Sequence, residues 1–256
     1  MKKYISVTLF VLLLLGSASF NATAGGNNYY SWYCKRNKEH LQPEIDAEMK
    51  FIEAHQCYYV DKKVNDSGNK IVYLTFDAGY ENGNVEKILD ILKEENVKGS
   101  FFILENLLAR HPDLVCRMQD EGHVVGNHTA HHKDISMLSF SELKKELETV
   151  ETLFKEKTGR ELPKYFRPPE GRFSLESITN IEKLNYKTVF WSLAYADWDN
   201  NNQPLPQKAI EKIMSNIHNG AIILLHPTSE TNVKILPHII KELKEQGYEF
   251  KTVENL

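Results

Sequence analysis

Short, continuous apolar runs alternate along this chain with longer segments in which apolar residues return every three or four positions. The first rhythm marks buried strands and the second amphipathic helices. Strands are expected at 71–76, 99–104, 123–127, 164–167, 187–195, 221–226 and 248–253. Helices are expected at 84–96, where Ile88, Leu89, Ile91 and Leu92 share one side, and at 106–121, 174–185, 206–219 and 232–246. Gly122, Gly220 and Gly247 stand just past three of these helices, where a left-handed residue ends the turn. The longest helix follows Ser139, whose spacing to Glu142 makes a capping box. Leu143, Leu147, Val150 and Phe154 then fall on one face, and Gly159 stops the helix.

A polar, aromatic-rich stretch from Asn27 to Asn69 precedes this alternation, with one helix expected around Pro43–His55 and a turn at 65–69. Strands and helices taken in turn imply a mainly parallel sheet covered by helices. Residues 70–256 hold about seven such units, short of the eight-unit barrel that typically takes about 250 residues. The expected fold is therefore α/β, a distorted or incomplete (β/α) barrel over 70–256, with 25–69 as an N-terminal extension.

Composition adds a compartment. Lys2 and Lys3 are followed by an apolar run from Ile5 to Leu15 and by small residues ending in Ala22-Thr23-Ala24. That order describes a secretory signal peptide over 1–24. The run is shorter than the roughly 20 residues of a membrane span, although with Gly16 to Phe20 it could serve as an uncleaved anchor. Any membrane contact is expected through this segment alone. Its removal takes the formal charge from −4 to −6, with 29 basic side chains against 35 acidic ones. A mildly acidic chain without a basic patch makes a nucleic-acid partner unexpected. Cys34 and Cys57 could pair within the extension, whereas Cys116, in the apolar phase of a helix, is expected to be a buried thiol.

The chemistry lies at strand ends. Asp77 follows IVYLTF, His128 follows HVVGN, Arg167 follows KYF, Asp197 follows TVFWSLAYA and His226 follows AIILL. Parallel strands closing into a barrel bring such ends together at one mouth, where residues distant in sequence act on one substrate. Taken singly, three of them have plainer explanations: Asp77 as a turn former, Arg167 as a surface residue beside Pro168-Pro169, His226 as a structural imidazole. His128 and His132 are four apart in N-H-T-A-H-H, so on a helical turn both rings would face one metal ion. A solvated, histidine-rich loop is the alternative. Five ionisable residues at five strand ends point to an enzyme.

The stretches T-F-D-A-G-Y (75–80), H-T-A-H-H (128–132), F-R-P-P-E-G (166–171), W-S-L-A-Y-A-D-W (191–198) and L-L-H (224–226) resemble, in order and spacing, the motifs of the polysaccharide deacetylases, the NodB-like carbohydrate esterases. S-W-Y-C-K-R-N-K-E-H-L-Q-P (31–43), F-D-A-G-Y-E-N-G (76–83) and V-F-W-S-L-A-Y-A-D-W (189–198) are most similar to the delta-lactam-biosynthetic de-N-acetylases of spore-forming bacteria. The resemblance implies hydrolysis of the N-acetyl group of N-acetylmuramic acid in spore cortex peptidoglycan, after an N-acetylmuramoyl-L-alanine amidase has removed the peptide. Muramic-δ-lactam would follow. It implies export to the cell wall or the spore intermembrane space, and glycan strands as the partner. By the same resemblance Asp77 is the general base, His226 the general acid, Arg167 the partner of Asp77 and Asp197 the partner of His226. Trp198 and Leu224 would wall the acetyl pocket, Glu170 would supply a backbone N–H to the oxyanion, and Tyr80 would contact substrate. His128 and His132 would hold a divalent ion, zinc by preference.

The family's motif has two adjacent aspartates, the second a metal ligand, and here that position is Ala78. A methyl cannot coordinate, so metal binding is expected to weaken unless Glu81 or Asn82 reaches the ion. Glu170 stands where many relatives have tyrosine and Ala194 where many have aspartate, which implies an altered cleft. Two other readings follow: the same chemistry on N-acetylglucosamine in peptidoglycan or chitin-like glycan, or a metal-deficient glycan-binding pseudoenzyme.

Overall fold

The computed structural model describes residues 28–33, 35, 38–65 and 68–256. The expected signal peptide over 1–24, and Cys34 with its expected bridge to Cys57, lie outside the described residues.

In chain order the strands are β1 (Tyr30–Ser31), β2 (Cys57–Tyr58), β3 (Lys70–Ala78), β4 (Ser100–Ile103), β5 (Val124–Asn127), β6 (Tyr165–Phe166), β7 (Arg172–Phe173), β8 (Lys187–Val189), β9 (Leu193–Ala194), β10 (Ala221–Leu225) and β11 (Tyr248–Lys251). The helices are α1 (Val85–Glu94), α2 (Glu105–Arg110), α3 (Pro112–Asp120), α4 (Phe140–Thr158), α5 (Leu175–Lys183), α6 (Pro206–Met214) and α7 (Glu230–Glu245). One parallel sheet runs in the order β2-β8-β6-β5-β4-β3-β10-β9. β11 pairs with Lys70–Tyr73 of β3 and β4 with Thr75–Ala78, so the two share one edge of β3 while β10 takes the other.

The segment expected as a single strand over 187–195 is broken in two. β8 pairs with β6 and β9 with β10, so this one stretch of chain joins the two ends of the sheet. The carbonyls freed at the break are not orphaned: Arg167 donates to Val189 O and Phe190 O, and Trp32 Nε1 donates to Trp191 O. An incomplete, distorted barrel is thus what the strands build. Its distortion is held by side chains in place of ladder bonds.

Alternation along the strands sorts side chains into two layers. Val72, Leu74, Phe76 and Ala78 of β3, with Phe101, Ile103, Val125, Ile223 and Leu225, pack outward in one core with Ile88, Leu89, Leu92, Ile235 and Ile239 of α1 and α7. Ile71, Tyr73, Phe102, Val124, Val189 and Ile222 fill the interior. Gly126 belongs to the inward phase, and a Cβ there would fall 2.8 Å from the Phe102 ring and 2.9 Å from Tyr165 O. A third core joins Trp32, Ile52, Phe173 and Phe190, fastening the N-terminal extension to the barrel.

The helices match their sequence signals with instructive exceptions. The α4 capping box is present, with Gly159 left-handed at φ 70°. The expected helix at 106–121 splits at His111 because Pro112 disfavours helical backbone in the residue before it and then opens α3. The expected helix at Pro43–His55 is a 3₁₀ turn over Ala47–Ala54. Cys116, expected to be buried, is a half-buried free thiol, since Leu114, Val115 and Met118 take the inward face of α3.

Candidate active site

Four of the candidate side chains continue the inward phase of their strands. Asp77 follows Tyr73 and Thr75, His128 follows Val124 and Gly126, Arg167 follows Tyr165, and His226 follows Ile222 and Leu224. Alternation therefore carries all four toward the interior at the C-terminal ends of parallel strands. There they meet a cavity of ≈ 810 Å³ lined by Asp77, His128, His132 and His226 together with aromatic residues.

Arg167 is completely buried. Its NH1 donates to Asp77 Oδ1 at 2.8 Å, its NH2 to Thr75 Oγ1 at 2.8 Å, and its Nε to Val189 O at 3.0 Å. The guanidinium lies 4.3 Å from the Phe102 ring centroid. Burial by itself would raise the Asp77 carboxyl, but the charge of Arg167, reinforced by His226, outweighs it and holds the group below the usual carboxylate range.

His226 is paired from behind. Its Nδ1–H donates to Asp197 Oδ1 at 2.7 Å and its backbone N–H to Asp197 Oδ2 at 2.8 Å. Asn232 Nδ2 donates to the same Oδ2 at 2.6 Å and to His226 O at 2.9 Å, and Tyr195 donates its hydroxyl to Asn232 Oδ1. Burial works against the imidazolium, but the hydrogen bond and charge of Asp197 prevail and raise the His226 pKa. The ring's Nε2 edge is left for the cavity.

His128 donates Nδ1–H to Arg167 O at 2.8 Å, which leaves Nε2 without a proton, 3.6 Å from Asp77 Oδ2. Burial pushes its pKa down to about 4, so the ring stays neutral and ready to ligate. The His132 ring centroid lies 5.0 Å away. The helical turn expected to align the two is absent: Thr129 and His132 are left-handed at φ 73° and 55°. The loop is held instead by Thr129 N donating to Asn127 Oδ1, His132 N to Thr129 Oγ1 and His131 N to Glu146.

These two imidazoles suit a divalent ion, but the third ligand position does not. Ala78 is fully buried and points outward with Phe76, into the layer between sheet and helices. Glu81 accepts from Gly83 N through Oε1 while its Oε2 is buried without a hydrogen-bond partner, and Asn82 donates to Thr228 O. Neither lines the cavity, and no group of three His, Cys, Asp or Glu side chains is arranged to hold a metal ion among the described residues.

Trp198, Leu224, Glu170 and Tyr80, expected around the substrate, all line the cavity, as does Ala194. Trp198 stands over His226 with ring centroids 6.4 Å apart. Glu170 is left-handed at φ 55° and pairs with Arg172 Nε at 3.0 Å. The cavity also takes Trp32, Tyr33, Leu104, Trp191, Tyr195 and Thr228, which the strand-end pattern does not reveal. Trp32 and Tyr33 belong to the extension, and their only signal was the aromatic S-W-Y-C stretch.

A family model described as polysaccharide deacetylase matches residues 64–189. The peptidoglycan-N-acetylmuramic acid deacetylase PdaA of Bacillus subtilis is 38% identical over 100% of this chain and 96% of its own length. The solved structure of that protein, described as a family 4 carbohydrate esterase, superposes with a TM-score of 0.84 over 90% of this chain and 97% of the other. The peptidoglycan-N-acetylglucosamine deacetylase PgdA of Listeria monocytogenes is 32% identical over 73% of this chain but 39% of its own length.

Proposed function

This chain belongs to the polysaccharide deacetylase family of hydrolases, and on that premise we propose that it removes the N-acetyl group of N-acetylmuramic acid in peptide-stripped peptidoglycan. The observation that carries the reading is a carboxylate supported by a guanidinium and an imidazole supported by a carboxylate at one cavity. Arg167 lowers the Asp77 pKa and favours the carboxylate, and Asp197 raises the His226 pKa and favours the imidazolium. Two titratable groups driven apart by their surroundings mark a base and an acid.

Asp77 takes a proton from the water that attacks the acetamide carbonyl carbon. The carbonyl becomes a tetrahedral oxyanion, received by the backbone N–H of Glu170 at the left-handed bend of its loop. His226 Nε2–H protonates the amine nitrogen, the C–N bond breaks, and acetate and a free amine leave. Arg167 keeps Asp77 ionised and oriented, and Asp197 fixes the His226 tautomer so that the proton faces the leaving group. Leu224 and Trp198 wall the pocket for the acetyl methyl, and Tyr80 borders the sugar. A zinc-like ion, when bound by His128 and His132, would polarise the carbonyl as a Lewis acid.

Muramic acid is favoured by the full-length likeness to PdaA, against the partial match to PgdA. The freed amine lies next to the lactyl carboxyl of the same sugar, so closure to muramic-δ-lactam follows once an amidase has exposed that carboxyl. On this reading the protein acts outside the membrane, at the cell wall or in the spore intermembrane space, with residues 1–24 directing its export. The N-acetylglucosamine reading draws on the PgdA match, and a metal-deficient glycan-binding role draws on the outward methyl of Ala78. The paired acid and base speak against the second, because binding alone needs neither. Mass analysis of peptide-free glycan strands after incubation tests the proposal. Acetyl loss from muramic acid, with or without further loss of water, supports it, and acetyl loss confined to glucosamine overturns it.

A further inference from the structure

The N-terminal extension is a wall of the cavity. β1 pairs antiparallel with β7, Tyr30 opposite Phe173 and Ser31 opposite Arg172, directly after the Glu170 loop. Trp32 then donates its backbone N–H to Gly171 O at 2.8 Å and its Nε1–H to Trp191 O at 2.8 Å, and stacks on Phe190 at 4.7 Å. The approach is so close that a Cβ on Gly171 would fall 2.9 Å from Trp32 Cβ and 2.8 Å from the Trp191 ring. With Trp32 fixed in the core, Tyr33 is turned outward.

Tyr33 lines the cavity and is 50% exposed. Its hydroxyl donates to Asp46, whose carboxylate also takes Lys35, so the far edge of the ring is anchored. No other aromatic ring packs on it among the described residues. An aromatic ring anchored by its polar tip, with apolar surface left bare at a cavity rim, suits the C–H face of a pyranose, which is apolar on its face and hydroxylated at its edge. Trp198 and Tyr80, 62% and 46% exposed, stand on the loops after β9 and β3 and are linked by Asn200 Nδ2 donating to Tyr80 Oη at 2.8 Å. Tyr33 stands instead beside Glu170, after β6, so the reacting sugar has aromatic surface on more than one flank.

We propose that Tyr33 forms a second sugar subsite, which takes the pyranose next to the reacting residue on the β6 side of the cavity. The ligand is then an oligosaccharide, not a single amino sugar. This rests on the glycan reading above but not on which sugar reacts. The test is binding to the full chain in an Asp77→Asn background, measured by calorimetry or NMR, for a single sugar and a tetrasaccharide. Both peptide-free muramyl glycans and N-acetylglucosamine oligomers are used as probes. Tyr33→Ala should weaken tetrasaccharide binding about five- to tenfold and leave single-sugar binding unchanged, while Tyr33→Phe keeps most of the affinity. Equal losses on both lengths would mean a general wall role and overturn the subsite, as would no loss on either. Preference for glucosamine oligomers would overturn the muramic acid reading while the length dependence still decides the role of Tyr33.

Discussion

Asp197→Asn isolates the electrostatic support of His226 while keeping the shape of the side chain. The carboxylate accepts three hydrogen bonds, from His226 Nδ1–H, His226 N–H and Asn232 Nδ2–H. A carboxamide has one acceptor oxygen, so its NH₂ must face a donor and the imidazole is driven toward the wrong tautomer. His226 Nδ1 and Asp197 Oδ1 are 2.7 Å apart, and unit charges about 4 Å apart at an effective dielectric of ~20 attract by about 4 kcal/mol. The sign follows directly. In the native protein the His226 pKa is raised, so the protonated acid persists to higher pH than in a free imidazole and activity falls as pH rises past that raised value. Without the Asp197 charge, less offsets the burial of the ring, so the His226 pKa falls and the alkaline limb moves acidward. General acid catalysis is worth about 10²–10⁴ in rate, so kcat/KM at pH 7.5 should fall by about that much. Acetate release measured against pH, with NMR titration of the His226 ring, reads both effects. An unmoved alkaline limb with kcat/KM within about threefold of wild type would refute the assignment of His226 as the acid.

Asp77→Asn should abolish acetate release while circular dichroism stays native, because it removes a base at a strand end and no core volume; turnover near wild type would exclude Asp77 as the base. Zinc should bind through His128 and His132 more weakly than a three-ligand site allows, so elemental analysis of a His128→Ala, His132→Ala double variant should find the metal lost. Retained metal would place the ion elsewhere. Glycan strands treated first with an amidase should lose acetyl groups much faster than intact peptidoglycan, since a peptide on the lactyl group would have to fit beside the reacting acetamide; equal rates would reject the muramic acid reading.

The site was legible in the sequence to the extent that it follows from strand alternation. Tyr73, Thr75 and Asp77 share one phase and Leu74, Phe76 and Ala78 the other, so locating the strand already fixed which residues face inward. What alternation could not show is where a strand stops being a strand. The run at 187–195 has the composition of one continuous strand, yet it breaks because Arg167, more than twenty positions earlier, takes the carbonyls of Val189 and Phe190. The i, i+4 spacing of His128 and His132 likewise suggested a helix. Asn127, Thr129 and Glu146 instead bind the N–H groups of that loop and hold it in left-handed turns.

Arg167 therefore links fold and chemistry. A buried guanidinium is costly unless its donors are met, and the ones it spends on Val189, Phe190 and Thr75 are what close the barrel across its broken strand. The remaining charge is offered to Asp77, and the Arg167 carbonyl meanwhile fixes the tautomer of His128. One residue thus sets the ionisation of the base, the ligating edge of an imidazole and the shape of the sheet end on which both stand. A lysine could pair with Asp77 but could not reach four acceptors in one plane, which is why the position after KYF carries the longer, forked side chain.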